Sequence, residues 1–163
     1  MEAPKNQLEQ VLVLLGLYLK SDKTKAALRL LERVKPKFTQ AGAESIWTFW
    51  YARVLAVQGE PEKALKEADK EKDPSARQRI RAMVLREVAH RSGEWQPLIE
   101  HLEACSGETQ DGEFLFELCE IKARREEWSY VADRANSLIH LVGTADALRL
   151  AAYCSWNAQR PQQ

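Results

Sequence analysis

Apolar residues recur along this chain at i, i+3, i+4 and i+7. That is the spacing that gives a helix one apolar face. No run alternates apolar and polar residues as a half-buried strand does, so the pattern predicts an all-α protein. The elements read as nine helices, near 6–20, 22–35, 44–58, 61–72, 76–92, 95–105, 111–125, 127–141 and 144–158. Gly59 and Gly93 stand where a left-handed residue would end a helix. Pro61 and Pro97 stand in the first turn of the next one, where a missing N–H costs nothing. Pro36 and Pro74 are read as helix ends.

The helices recur with a period. Gly59-Glu60-Pro61 is followed 34 residues later by Gly93-Glu94-Trp95. Trp95 is followed 33 residues later by Trp128, and Trp128 after 33 more by Pro161. Each mark follows one helical pattern, and the first three precede a second (KALKEADK, LIEHLEAC, YVADRANSLIHL). A looser copy upstream sets Ala27 beneath Ala64. Helices this short are marginal alone in water, and two of them joined by a turn still expose an apolar face. Stacking the next pair covers it, as in repeat arrays.

The period, the turn residues and the helix pairing resemble the tetratricopeptide repeat family across residues 8–159. Mid-way along the first helix of each pair, neighbouring sites that hold a bulky and a small residue in that family carry Leu14-Leu15, Tyr51-Ala52, Leu85-Arg86, Leu118-Cys119 and Ala151-Ala152. Ala27 and Ala64 fill the family's small site in the second helix, where Leu98 and Val131 depart from it. Arg86 on a small site and Lys122 on an aromatic one depart further, so the likeness is to a divergent array. It implies a solenoid over a single domain, 1–163. The repeats would fall near 8–44, 45–78, 79–111 and 112–144, with a partial one at 145–163. The final helix lacks a partner in this pattern, which predicts a piece of a longer protein.

The resemblance further implies that the first helix of each pair lines a concave groove. Its register selects Phe49 and Arg53, then Met83, Glu87, His90 and Arg91, then Phe116, Glu120 and Arg124, and finally Arg149, Tyr153 and Trp156. Aromatic anchors mixed with both charge signs suit an extended or helical peptide. Phe49, Met83 and Phe116 equally suit packing between neighbouring helices. One branch of the family clamps a terminal carboxylate with Lys and Asn. Here those sites hold Arg53 and Glu87, and Leu12, Trp50 and Ile80, so that use is not expected.

Composition narrows the function. Twenty-four Lys and Arg balance 24 Asp and Glu, so no global positive field draws in nucleic acid. A helical-repeat binder of single-stranded RNA would need matched polar readers, and Arg53, Glu87 and Glu120 contradict that. VLVLLGLYL, residues 11–19, is too short to span a bilayer, so no membrane is expected. Three cysteines, with no C-x-x-C, suit a reducing compartment and a cytoplasmic protein. Glu87-Val88-Ala89-His90 is one Glu-x-x-His where a di-iron bundle needs two. His101 and Cys105 are two ligands where zinc needs more. Glu113, Glu117 and Glu120 read as a solvated face. No Gly-rich phosphate loop or nucleophile motif occurs, so neither an enzyme nor a cofactor is expected. The expected role is a scaffold for a peptide or protein. The alternative is a regulatory segment docking on its own effector domain. Leu148, Ala151, Ala152 and Ser155, with helix 11–19, predict weak homodimerisation through the terminal helices.

Overall fold

The computed structural model describes residues 4–109 and 111–159, with side chains for 8–106 and 111–159. The described residues form ten helices and no strand. In order they are α1 Pro4–Lys20, α2 Thr24–Gln40, α3 Glu44–Gln58, α4 Pro61–Ala68 and α5 Pro74–Ser92. Then come α6 Gln96–Thr109, α7 Gly112–Arg124, α8 Trp128–Asp133, α9 Ala135–Val142 and α10 Ala145–Ala158. They divide into two compact units, Met1–Trp95 and Gln96–Gln163. The division falls between α5 and α6, inside the repeat expected over 79–111.

In the first unit α3 packs against α2, α4 and α5, and α1 packs on α2. Helices read at 44–58 and 76–92, one period apart, therefore pack together as α3 against α5. Leu15, Leu31, Phe38, Trp47 and Val54 form one core cluster. Ala52, Ala56, Ala64 and Ala68 form another with Ile80, Met83 and Val84. Ala52 and Ala64 are fully buried, which lets α3 and α4 approach closely. Gly59 ends α3 at φ 90°, a conformation that strains any residue with a Cβ.

Two readings of proline need correction. Pro36 does not end α2, which continues to Gln40. Proline inside a helix costs about 3 kcal/mol. Burial of Val34 and Phe38, on either side of it, outweighs that loss. The indole N–H of buried Trp47 donates to the Leu31 carbonyl at 2.9 Å, one turn ahead of the proline. Pro74 opens α5 rather than closing α4, with the Asp73 side chain accepting from the Ser75 and Ala76 N–H groups. Glu71, the one buried charged residue among those described, ties the turn between these helices. Its carboxylate accepts from the Lys72 and Asp73 N–H groups, and its carbonyl accepts two bonds from Arg77.

In the second unit α7 packs against α6, α8, α9 and α10, while α10 also covers α8 and α9. Leu115, Cys119, Val131, Leu138, Ala147, Ala151 and Cys154 form the core. A Cβ on Gly112 would lie 2.8 Å from the Leu141 carbonyl oxygen, so the start of α7 requires glycine against the end of α9. The helix expected over 127–141 is two helices. At Arg134 the backbone leaves the helical range (φ −104°, ψ 4°) and its N–H bonds back three residues to Val131 instead of four. The Tyr130 carbonyl loses its backbone donor. The Arg134 guanidinium replaces it at 3.3 Å and lies 3.7 Å over the Tyr130 ring. Local hydrogen bonding and a cation–π contact thus hold a break that no proline or glycine announces.

Trp95 and Trp128, which mark the period in the sequence, are half-buried. In α10, Ala151 is in the core while Leu148 and Ala152 are exposed, so the apolar face expected to lie open is partly covered.

Ala64→Leu should lower unfolding free energy by about 1–3 kcal/mol through overpacking, read by urea denaturation. Trp47→Phe, which leaves the Leu31 carbonyl without its indole donor, should cost about 1–3 kcal/mol in the same measurement.

Candidate binding surfaces

The sequence-selected residues of the first unit lie on α3 and α5. Arg53 donates through Nε to Glu87 Oε1 at 3.3 Å, one repeat period away along the chain. Arg53 also lies 5.5 Å from the centre of the Trp50 ring, and Phe49 meets Trp50 edge-on at 6.2 Å. All four side chains are partly exposed. The remaining Arg53 donors find no partner among the described residues, so the guanidinium can still fork onto a carboxylate. His90 is exposed, with its ring 5.0 Å from Trp95 at 82°.

Two selected residues serve the scaffold instead. Met83 is buried among alanines and Ile80, so it is core and not a contact surface. Its thioether fills the irregular space that small neighbours leave. Arg91 Nη1 donates to the Ala56 carbonyl at 3.5 Å, where a cation also complements the negative end of α3. The Glu87–His90 pair is divided between these contacts. Among the described residues no group of three or more His, Cys, Asp or Glu is placed to hold a metal ion.

In the second unit Phe116 packs half-buried against the core, Glu120 is half-buried and Arg124 is exposed. On α10, Arg149 pairs with Asp146 at 3.1 Å, an exposed pair one turn apart. Tyr153 and Trp156 are well exposed, and Tyr153 meets Trp128 edge-on at 5.5 Å. Sequence reasoning passed over Trp50, Trp95 and Trp128 as partners of Arg53, His90 and Tyr153. For Trp50 a signal existed, since a residue three before an arginine on a helix shares its face.

Two cations meet one tyrosine ring in this unit. Tyr130 has Arg134 on its ring and the Lys122 ammonium 4.9 Å away. Lys122 also reaches Glu127 at 2.9 Å and Glu103 at 3.4 Å. Burial pulls the lysine pKa down, but the two carboxylates pull harder, and the balance is raised. Burial also lifts the Tyr130 phenol, by more than the Arg134 charge lowers it. Tyr130, Arg134 and Glu103 border an open cleft of about 1100 Å³ with Ser137 and His140. All three cysteines are free and buried, and burial pushes the Cys119 thiol up to about 11, so it stays protonated and unreactive near neutrality. Among the described residues no helix is long and apolar enough to cross a membrane.

The raised Lys122 pKa fixes a direction of pH dependence. Its contribution is full below the unfolded lysine pKa and is lost as pH rises through the folded one. The stability gap between wild type and Lys122→Met should therefore stay flat from about pH 6 to about pH 9. It should narrow above the ordinary lysine value of about 10.4. Denaturant midpoints measured at each pH check this.

Comparison with protein-family models, curated proteins and solved structures gives no match to this chain.

Proposed function

We propose that this chain is a protein-interaction scaffold, a divergent tetratricopeptide-like array that binds a peptide or protein segment through the exposed faces of α3 and α5. The observation carrying the reading is the Trp50–Arg53–Glu87 constellation. A planar cation held on an aromatic ring, with donors to spare, is pre-organised for a carboxylate and loses little side-chain freedom on binding. Phe49, edge-on to Trp50, and the exposed His90 on α5 add contact area. The register supports it as well, since Arg53 and Glu87 stand one period apart on helices that pack together. Arg124, Arg149, Tyr153 and Trp156 offer the second unit a surface of the same chemistry. Free, buried thiols fit a reducing, cytoplasmic setting.

The test is a comparative capture. Wild type, Trp50→Ala/Arg53→Ala and Arg124→Ala/Arg149→Ala are immobilised and exposed to cell extract, and partners are quantified by mass spectrometry. At least one partner should fall about tenfold with the first variant, the loss of a buried aromatic or arginine anchor being worth about 2 kcal/mol. Equal recovery of every partner from all three proteins would overturn the reading.

A further inference from the structure

A second surface runs along α1 and α2. Lys25, Arg29, Arg33 and Lys37 follow one another at intervals of four residues, and all four are exposed. That interval sets them in one slowly drifting row on α2. Like charges one turn apart repel, so the row opposes the helix that carries it. Lys25, Arg29 and Arg33 have no ion pair or hydrogen bond from their side chains to any described residue. Residues 20–37 hold seven Lys and Arg against Asp22 and Glu32, a local charge of +5 in a chain whose formal net charge is zero. A field this concentrated attracts one sign of partner.

The row is one wall of a trough. Lys25, Arg29, Leu30 and Arg33 line a cleft of about 710 Å³. Leu30, Arg33, Val34, Lys37 and Leu14 line the next, of about 530 Å³. Leu14 continues into a third with Val13 and Leu17. Shared side chains join the three. On α1 three aliphatic side chains are open to water, with Val13 66 %, Leu14 37 % and Leu17 55 % exposed. The clefts are thus mainly cationic along α2, and along α1 they carry Tyr18, Val11 and Leu14 and run onto Val13 and Leu17, where Gln10 and Glu9 also stand.

We infer that this trough docks an acidic amphipathic helix of a partner protein. The apolar face of that helix rests on Val13, Leu14 and Leu17, and its carboxylates meet Arg29 and Arg33. The spacing suits a helix: glutamates four residues apart rise about 6 Å per step, as the cations of α2 do. The row from Lys25 to Lys37 spans about 18 Å, so about 12–15 partner residues cover it. Charge complementarity selects the acidic partner, and the aliphatic side chains of α1 select one with an apolar stripe. Single-stranded nucleic acid would want a series of aromatic platforms, and among the described residues lining these clefts Tyr18 is the one aromatic side chain.

The probe is a fluorescent helical peptide of about 18 residues, with leucines at i, i+3, i+4 and i+7 and glutamates at four-residue steps beside them. A Glu→Gln version, a Glu→Lys version, vesicles containing phosphatidylserine and an oligouridine are compared with it. The acidic peptide should bind, and the Gln version about tenfold more weakly. Arg29→Glu/Arg33→Glu should weaken the acidic peptide by a similar factor and gain affinity for the Lys version. Leu14→Ser/Leu17→Ser should weaken it without changing the preference for Glu over Gln. Circular dichroism melts check that the exposed substitutions leave the fold intact, with Arg29→Gln/Arg33→Gln as a milder pair should the reversal disturb α2. The inference is overturned if the acidic peptide does not bind, if the Glu and Gln peptides bind equally, or if the charge reversal leaves binding unchanged. It is also overturned if only the vesicles or only the oligouridine bind at this row.

Discussion

Close approach of helices at small side chains is the constraint on which the rest of the structure depends. α4 and α9 have eight residues each, and α8 has six. Helices of that length do not hold in water by their own hydrogen bonds. They persist because Ala52, Ala56, Ala64 and Ala68 in one unit, and Ala147 and Ala151 in the other, bring neighbours near enough for dense packing. Larger residues fill what remains, Met83 and Ile80 in the first unit and Leu115 and Leu138 in the second. Gly112 against the Leu141 carbonyl is the extreme of the same rule, a contact with no space for a methyl group.

Two departures from regular helix are met by named side chains. Arg134 takes the Tyr130 carbonyl at the break between α8 and α9, and Glu71 collects two N–H groups before α5. Buried backbone groups without partners would cost more than these side chains lose in freedom. One of these groups also shapes a surface. Arg134 on the Tyr130 ring closes a helix break and borders a cleft, so local folding and surface chemistry are the same event there.

Much of this was legible in the sequence, for reasons that differ by residue. The helical period and the glycines at 59 and 93 come from local rules, and Gly59 and Gly93 are left-handed, at φ 90° and 76°. The 34-residue step put Arg53 and Glu87 on like sites, but their pairing depends on how far α3 stands from α5, which no local pattern encodes. Pro36 misled because its local cost is fixed while the burial of Phe38 that outweighs it is tertiary. The break at Arg134 was invisible because arginine is a good helix former, and only the Tyr130 ring one turn earlier gives it another use. Met83 reads the same on paper whether it lines a groove or fills a core. The ladder of cations on α2 is plain as spacing, but that three of them stay unpaired is a fact of the surroundings.

Neighbour-only packing also bears on how each unit assembles. In the first unit no helix touches another more than two places away in the chain, and in the second the most distant contact is α7 with α10. Loops that close over so few residues cost little chain entropy. Low contact order of this kind goes with folding in microseconds to milliseconds, well ahead of sheet proteins of similar size. It also lets stability vary along the chain, since a helix at one end can open while its second neighbour stays protected. α1, held mainly by α2, is then where amide exchange begins, and α3, enclosed by α2, α4 and α5, is where it ends.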